Sequence, residues 1–342
     1  MAYLVTGATG SIGRYLVPAL LARGGEVHVL VRPGADAANR FDRFARLWAG
    51  GDRLHPVRGD LARPGLGIHP DWVRRHRESI GHIVHLAGRY DTRCAGAGTR
   101  QVVDFAGRVE AGALHHISTV EVAGAAEGLF AEDMFDIGQS LPTPAHRAVF
   151  EAERVVRERC PVGWRIYRPS IVIGHSRTGD VDRIAGPYSL FRLLRMAAQL
   201  PRLLPILVPK LGETNVVPVD FVARALDHLV HRPTGDGATF HLVDPRRQGV
   251  VDVLNLFAEQ AGAPHLLEVM PRQSMDALRR IPVLGRLVGA LGVPQDLLDA
   301  TEFGCWFDCR ATAAALAGTD IRVPPLAGYA PVLWKHWIEN WV

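Results

Sequence analysis

The feature that most constrains the fold of this chain is a set of spaced glycines between a predicted strand and a predicted helix. The apolar segment Tyr3–Val5 predicts a short strand, and a helical pattern begins after the glycines. Gly7, Gly10 and Gly13 allow a tight turn, a close approach of the backbone to a phosphate group, and close packing of helix on strand. The free N–H groups at the start of the helix favour a pyrophosphate. The segment therefore predicts a dinucleotide-binding βαβ unit.

The rest of the first half continues this alternation of strands and helices. Short apolar runs followed by patterns of helical periodicity are typical of a parallel sheet built from βαβ units. Further strands are predicted at Val27–Val31, Arg53–Arg58, His82–Leu86, Leu114–Ile117, Trp164–Tyr167 and Thr239–Val243. Helices are predicted after Gly13 and over Asp36–Trp48, Thr99–Val109, His146–Glu158 and Val219–Val230. The pattern predicts an α/β protein with a doubly wound parallel sheet, that is, a Rossmann fold.

The order of these elements predicts two domains. Residues 1–175, joined by part of 214–245, form the expected NADP(H)-binding Rossmann domain. Residues 176–213 are rich in Pro, Leu and Arg, and we expect them to form a lid or pocket wall rather than sheet. Together with the helix-rich residues 246–342 they form the expected substrate-binding domain. Three tryptophans near its end are predicted to share one packed helix face, namely Trp334, Trp337 and Trp341.

Composition excludes several classes of protein. With 48% hydrophobic and 22% charged residues, the chain is typical of a globular protein and not of a disordered or collagen-like one. Lys and Arg are scattered and the net charge is +4, so we expect no nucleic acid partner. We expect no transmembrane segment and no metal site, because no apolar run is long enough and no ligand spacing fits. A strand directly after Met1, and 4 cysteines without a C-x-x-C pair, favour a cytoplasmic protein.

Two arginines favour NADP(H) over NAD(H). Folds that bind NAD usually place an acidic residue at the end of the second strand, where it holds the ribose 2′-hydroxyl. This chain has Arg32 there and Arg14 after the third glycine, and guanidinium groups suit a 2′-phosphate. Two solvated arginines in an arginine-rich chain are the alternative. The expected nucleotide contacts are Thr6, Gly7, Thr9, Gly10, Ser11, Ile12, Gly13, Arg14, Arg32, Asp60, Leu61, Leu86, Ala87 and Gly88.

Short phrases spread along the whole chain resemble one protein family. They are Gly59–Leu61, His85–Gly88, His116–Thr119, Glu132–Phe135, Tyr167–Pro169, Gly174–Gly179, Asn215–Asp220 and Phe240–Pro245. With these phrases the chain resembles the extended short-chain dehydrogenase/reductases, and most of all their thioester-reductase and fatty acyl-CoA reductase branch. The resemblance implies a Rossmann fold with a smaller substrate domain and an NADPH site to which Arg168 and Pro169 contribute. It also implies a pocket for an acyl thioester or a long-chain aldehyde.

The resemblance implies a catalytic site as well, and here the chain departs from the family. The family holds the substrate oxygen with a Ser or Thr, donates a proton from a Tyr, and lowers the pKa of that Tyr with a Lys four residues later. Thr119, with Ser118 beside it, matches the first role. The family phrase Pro-Tyr-His-Arg-Thr-Lys-Phe-Glu corresponds to Pro144–Glu151. In that phrase Ala145 replaces the Tyr and Val149 replaces the Lys.

These replacements remove the proton relay of the family, and an Asn that the family carries further upstream is absent too. Loss of a positioned acid costs a carbonyl reduction about two to four orders of magnitude. Candidates for a substitute are Tyr90 and Asp91, which follow the fourth strand, and Glu121, which lies two residues after Thr119. His146 follows the vacated Tyr position, but one helical step turns it by about 100°, so we expect it to face elsewhere.

Three functions remain open. We rank first a non-redox cyclase, isomerase or lyase that acts on a hydrophobic acyl-, polyketide- or terpene-like substrate and in which NADP(H) is structural or vestigial. Second is an NADPH-dependent acyl-thioester or aldehyde reductase with a substitute proton donor, and third a catalytically inactive binding partner. The sequence leaves the oligomeric state open, including a homo-oligomer. The expected substrate contacts are Ala145, His146, Val149, His175, Lys210 and Asn215.

Overall fold

A computed structural model divides the chain into two compact units. The model describes residues 1–86, 95–182, 188, 190–270 and 303–341. The first unit consists of the described residues of 1–170, 219–243 and 307–321. The second consists of the described residues of 171–218, 244–306 and 322–342. The sequence predicted that all of 246–342 belongs to the substrate domain, whereas the structure groups 307–321 with the nucleotide-binding unit.

The helices and strands are numbered here in chain order. The strands are β1 (Ala2–Thr6), β2 (Glu26–Val31), β3 (Leu54–Arg58), β4 (Ile80–His85), β5 (Ala113–Ile117), β6 (Gly128–Phe130), β7 (Gly163–Pro169), β8 (Ile171–Ile173), β9 (Ile206–Pro209), β10 (Glu213–Thr214), β11 (Val216–Pro218), β12 (Thr239–Leu242), β13 (Gln248–Gly249), β14 (Leu266–Met270) and β15 (Cys305–Phe307). The helices are α1 (Gly13–Ala22), α2 (Ala35–Trp48), α3 (Pro70–His76), α4 (Ala95–Arg108), α5 (Pro144–Arg159), α6 (Phe191–Ala197), α7 (Val219–Val230), α8 (Val250–Ala261), α9 (Arg310–Ala315) and α10 (Leu326–Trp341). Among the described residues, no helix combines the length and the apolar character that crossing a membrane requires.

The first unit is built on a seven-stranded sheet in the order β12-β7-β5-β4-β1-β2-β3. Every neighbouring pair of strands runs parallel. The predicted doubly wound parallel sheet is therefore confirmed. The strand order reverses between β1 and β4, and ligands of such sheets bind at this switch point, beyond the carboxyl ends of the strands.

Helix α1 contains a proline, and the structure compensates for the hydrogen bond that it removes. Pro18 has no N–H to donate to the carbonyl of Arg14, one helical turn earlier. The indole Nε1 of Trp48, at the end of α2, donates to that carbonyl oxygen instead, at 3.0 Å. The bond ties α2 to the helix that follows the glycine loop.

The two faces of the sheet are filled differently. One face buries an apolar cluster with α4 and α5, to which Ile83, Leu114 and Ile166 contribute. The residues that alternate with these point to the other face, which carries buried polar rings. There His115 hydrogen-bonds through Nε2 to His82 Nδ1 and through Nδ1 to the Tyr167 hydroxyl, both at 2.9 Å.

The first turn of α5 explains why the helix was predicted to begin two residues too late. The sequence predicted a helix from His146, and the structure begins it at Pro144. The Thr143 hydroxyl caps the helix by accepting the N–H of His146 at 3.1 Å, and a proline suits the first helical position. The first turn of α5 therefore holds both Ala145 and His146.

The second unit has its own core and more strand than the sequence indicated. Its aromatic cluster includes Phe191, Phe257 and Trp337. Trp334 packs there as well, but Trp341 is 40% exposed, so the predicted tryptophan face holds for two of the three. Residues 176–213 were expected to lack sheet, whereas their strand β9 pairs in parallel with β14. The alternation of apolar and polar residues along β9 is too short to predict a strand. Its partner β14 lies about 60 residues further along the chain, so the pairing could not be predicted from local sequence either.

Residues 307–321 belong to the first unit because a buried carboxylate holds them there. Glu132 is 5% exposed and accepts hydrogen bonds from the N–H groups of His241 at 3.0 Å, Ala311 at 2.6 Å and Thr312 at 3.0 Å. The Thr312 hydroxyl also donates to it, at 2.6 Å. Its charge lies at the N-terminus of α9, where the helix dipole favours an anion.

We predict that Glu132→Ala lowers the free energy of unfolding by at least about 3 kcal/mol, because it leaves several buried donors without an acceptor. Urea unfolding of the full chain measures this change. Glu127→Ala, an exposed glutamate a few residues upstream, is the matched control and should change the free energy little. Equal effects of the two substitutions would contradict the role given to Glu132.

Buried histidines predict that the protein loses stability in mild acid. Burial lowers the pKa of His28, His82 and His116 to about 4, from 6.5 in the unfolded chain. The unfolded chain therefore binds more protons than the folded one between these pH values, and the free energy of unfolding falls as the pH drops from 6.5 toward 4. Urea unfolding across this range tests the sign, and His28→Phe should make the slope shallower. Stability that stays constant or rises on acidification would contradict this account.

Candidate active site

The loop between β1 and α1 fits only glycine at two of its positions. Gly7 has a φ of 72°, in the left-handed region that favours glycine. A Cβ atom on Gly13 would lie 2.3 Å from the carbonyl oxygen of Ala8, so any side chain there would push α1 away from the loop. Gly10 closes the turn by donating its N–H to the Gly7 carbonyl at 2.9 Å.

The start of α1 has no cap from any described side chain, although the N–H groups of Arg14 and Tyr15 already bond the carbonyls of Gly10 and Ile12, both at 3.1 Å. Ser11 and Ile12 are the half-buried residues before the helix. Arg40 of α2 holds the loop from the side by donating from Nη2 to the Thr9 carbonyl at 2.9 Å. Because the N–H groups of a first helical turn point out of its end, the arrangement fits a pyrophosphate.

The two arginines expected at the nucleotide lie on different elements. Arg32 directly follows β2, the strand that pairs with β1, and is exposed. Arg14 lies in the first turn of α1, with its guanidinium carbon 4.8 Å from the ring centroid of Tyr15. Only Arg14 thus lies on an element that flanks the nucleotide loop.

The remaining expected nucleotide contacts follow β3 and β4. Asp60 is half-buried and its Oδ1 accepts the N–H of Ala62 at 3.0 Å, while Leu61 packs against the core beneath α4. Leu86 donates its N–H to the Thr6 carbonyl at 3.1 Å, which extends the pairing of β1 with β4. Four predicted site residues lie outside the described residues, namely Ala87, Gly88, Tyr90 and Asp91.

A buried string of polar side chains lies at the carboxyl end of β1 and β4, and the sequence analysis missed it. His85 Nδ1 lies 2.7 Å from the Thr6 hydroxyl, and its Nε2 lies 3.2 Å from the Thr99 hydroxyl at the start of α4. The His85 ring stacks on His116 of β5 at 5.4 Å between centroids. Burial holds the pKa of His85 well below its usual value, so the ring is neutral. The sequence signal that could have revealed this cluster is the pair His85 and His116, each near the end of a predicted strand.

Thr119 lies at the end of β5 and is buried. Its Oγ1 accepts the N–H of Glu121 at 2.9 Å and begins a short 3-10 turn over Val120–Ala123. The hydroxyl acts here as an acceptor, so its proton remains available to another oxygen. Ser118 is buried beside it and donates its N–H to the Tyr167 carbonyl at 2.8 Å.

Glu121 and His146 come within electrostatic range of each other where this turn packs against α5. Burial lowers the pKa of His146, and the charge of Glu121 partly offsets that shift. The Nδ1 atom of His146 is buried without a hydrogen-bond partner among the described residues. The sequence favoured a His146 that faces away from the reaction centre, and that expectation stays a prediction; the structure adds that the charge of Glu121 acts on this ring.

The two positions that depart from the family pattern carry no ionisable group in this site. Ala145 is half-buried in the first turn of α5, and Val149 is buried one turn later. The next residue on the same face is Glu153, which has no exposed surface. The inner face of α5 therefore runs from small and apolar at its start to a buried carboxylate in its middle.

Arg168 has a different role from the nucleotide contact expected of it. Its guanidinium is fully buried, bonds both oxygens of Glu153 at 3.1 and 2.5 Å, and lies 3.1 Å from His241 Nε2. Because these groups surround it, the guanidinium has no surface to offer a ligand. Pro169 is also buried, paired with Leu242 across β7 and β12.

The expected substrate contacts in the second unit are also largely engaged within that unit. The Asn215 side chain donates to the Asp244 carbonyl at 2.8 Å and accepts the Asp244 N–H at 2.9 Å, so it holds a loop. His175 accepts the N–H of Arg177 at 3.1 Å through Nδ1. Lys210 is exposed.

A surface groove of about 650 Å³ runs between α4 and α5. Ala148 and Arg147 line it from α5, and Arg100 and Gln101 line it from α4. Thr119 is not among its lining residues, whereas Pro144 at the start of α5 is.

Comparison with known proteins places the chain in a family. A model of the NAD-binding family described as male sterility protein matches residues 5–226. The chain belongs to this family. Within it, the chain is an extended short-chain dehydrogenase/reductase of the thioester-reductase branch, as its structural neighbours indicate. The predicted resemblance is thereby confirmed.

Three relatives illustrate this placement. The terminal R domain of the myxalamid PKS-NRPS pathway is 26% identical, with a TM-score of 0.77 over 99% of this chain and 91% of that one. The non-canonical nonribosomal peptide synthetase FrzA of a Cladobotryum species is 26% identical over 80% of this chain and 29% of its own length. Aldehyde reductase lnbA of Aspergillus flavus is 27% identical over 73% of this chain and 27% of its own length. The chain thus spans less than a third of each of these two curated relatives.

The contact at Gly13 predicts that Gly13→Ala abolishes nucleotide binding, because the added Cβ displaces α1 from the loop. The measurement is the rise in melting temperature that NADPH produces in the full chain. Gly328→Ala in α10 is the matched control, because nothing lies within 4 Å of its Cβ position. If Gly13→Ala proves unstable, Gly10→Ala tests the same loop, with a milder contact of 3.1 Å to the Gly7 carbonyl. If NADPH raises the melting temperature of either loop variant as much as that of the wild type, the glycine loop is not the nucleotide site.

Proposed function

We propose that this chain is an NADPH-dependent reductase of acyl thioesters or aldehydes, with Thr119, Glu121 and His146 at its reaction centre. The observation that carries the proposal is the steric fit of the nucleotide loop, where Gly13 presses against Ala8 and no side chain fits. Its relatives, whose names include an aldehyde reductase and a terminal R domain, support this reaction class.

The nucleotide would be held at the glycine loop. The first turn of α1 would take the pyrophosphate, and Arg14 and Arg32 would take a 2′-phosphate, which favours NADP(H). When bound there, the dinucleotide supplies a hydride to the carbonyl carbon of the substrate. Everything else that the reaction needs must come from the side chains around that carbonyl.

The oxygen of the reduced carbonyl must gain a proton, and the chain offers a route for it. Thr119 donates a hydrogen bond to this oxygen from its free hydroxyl proton. Protonated His146 then donates its proton to this oxygen. Before the transfer, the carboxylate of Glu121 stabilises the charged imidazolium ring. With an aldehyde the product is an alcohol. With a thioester, cleavage of the C–S bond releases a thiol and leaves an aldehyde.

A second candidate function is the non-redox enzyme that the sequence alone ranked first. The observation that favours it is the buried, apolar surface of Ala145 and Val149 where the family has its Tyr and Lys. Glu121 and His146 could serve as acid and base in such a reaction too. We place it second because the loop geometry and the relatives both favour hydride transfer.

We predict that the protein consumes NADPH with a long-chain aldehyde or its acyl thioester, and that His146→Gln lowers kcat roughly a hundredfold. Because protonated His146 is the donor and burial lowers its pKa, kcat of the wild type should fall as the pH rises through a value below 6.5. The variant should lose this pH dependence, which a merely structural role would not produce. His265→Gln is the control, since that side chain is 58% exposed in the second unit.

The double variant Ala145→Tyr, Val149→Lys separates the two candidate functions. If the wild type consumes NADPH and His146→Gln removes that activity, the reductase proposal holds. If only the double variant consumes NADPH, the wild type binds the nucleotide without reducing these substrates, and the non-redox candidate takes its place. An ordinary rate in His146→Gln would refute the assigned proton donor.

A further inference from the structure

The second unit exposes an apolar surface that its core does not use. Half of the large hydrophobic side chains exposed in the described residues lie on it. We call this set the leucine surface, and it consists of Met196, Leu200, Leu203, Leu204, Leu207, Leu267 and Val269. Patches of this kind on soluble proteins mark sites of interaction.

Two members of the leucine surface lie side by side on neighbouring strands. Leu207 of β9 and Leu267 of β14 are direct partners in the parallel pair, so their side chains lie on the same face. The alternate residues Val208 and Leu266 pack inward, against a cluster that includes Val250. The outward residues of both strands are therefore apolar where solvent would favour polar ones.

The most exposed part is the turn between α6 and β9. Leu203 is 94% exposed and Leu204 is 66% exposed. Arg202 anchors this turn by donating from Nε to the Gly262 carbonyl at 2.8 Å, at the end of α8. The two leucines thus form a fixed protrusion rather than a loose segment.

The segment that carries the protrusion is basic, although Glu259 and Glu268 on the neighbouring elements are exposed. From residue 183 to residue 212 the sequence has no Asp or Glu, but it has Arg and Lys at five positions. Arg192, Arg195 and Lys210 are exposed and form no ion pair within the described part of the chain. Glu268, the one carboxylate of β14, accepts the N–H of Leu211 at 2.9 Å.

We propose that the leucine surface binds the surface of an anionic lipid bilayer. Arginine and lysine would attract the lipid phosphates, and Leu203 and Leu204 would enter the boundary between headgroups and acyl chains. A bilayer accommodates a convex protrusion, whereas a protein partner would need a matching pocket. The absence of acidic residues from the segment also fits a negatively charged lipid surface better than a protein surface of mixed charge.

Co-sedimentation of the full chain with vesicles tests this proposal. We expect binding to vesicles that contain phosphatidylserine and little binding to vesicles of phosphatidylcholine alone. Binding should weaken as salt rises above about 0.1 M, because the Debye length is then shorter than about 10 Å. The double variant Leu203→Glu, Leu204→Glu should lower the partition coefficient at least about tenfold, since it removes apolar contact and adds negative charge.

Leu47→Glu is the matched control, because Leu47 is 72% exposed on α2 of the first unit and lies outside the leucine surface. The variants should keep the wild-type melting temperature, which shows that they are folded. The proposal is overturned if the wild type does not bind anionic vesicles, or if the double leucine variant binds as well as Leu47→Glu. It is also overturned if the double variant changes only the oligomeric state, since the surface would then join copies of this chain.

Discussion

The position of α5 depends on a buried ion pair between that helix and the sheet. Glu153 of α5 and Arg168 of β7 have no exposed surface, and Arg157 adds a second guanidinium at 2.8 Å. Burial alone would raise the pKa of Glu153, but the two arginines outweigh it and lower the pKa to about 2. Removing either partner would leave an unpaired charge in the core. The pair therefore fixes α5, and with it the positions of Ala145, His146 and Val149.

The ion pair and burial together set the pKa values of the ionisable groups around α5. A carboxyl group with a pKa of about 2 stays ionised, so Glu153 cannot serve as an acid. Burial likewise lowers the pKa of His116 to about 4 and keeps that ring neutral near neutral pH. His146 is less deeply buried and has Glu121 in electrostatic range, so its pKa is lowered less strongly. The proposed acid–base role therefore falls to His146 and not to Glu153 or His116.

The sequence predicted those parts of the molecule that local rules determine. The parallel sheet followed from alternating strand and helix patterns. The nucleotide loop followed from glycines whose conformation and packing no other residue fits. The position of Thr119 directly after the fifth strand also followed, while its role stays a prediction. Each of these features depends on residues that are close together in the chain.

What the sequence could not predict depends on contacts between distant residues. The charge of Glu121 acts on His146 because the turn after β5 packs against α5. Arg168 looked like a nucleotide contact because its neighbours in sequence match a family phrase, but its partner Glu153 lies on the opposite side of a helix-sheet interface. The pairing of β9 with β14 also joins segments about 60 residues apart, beyond the reach of any periodicity.

A calorimetric titration of the full chain with NADPH, and separately with NADH, tests the central claim most directly. That claim is that the glycine loop and its two arginines form a working dinucleotide site beside a changed reaction centre. The account predicts that both nucleotides bind and that NADPH binds at least about tenfold more tightly, because in the proposed site Arg14 and Arg32 would contact its 2′-phosphate. Absence of binding by either nucleotide would contradict it. The glycine loop would then have a structural role alone, and any reaction around Thr119 would have to proceed without a nucleotide.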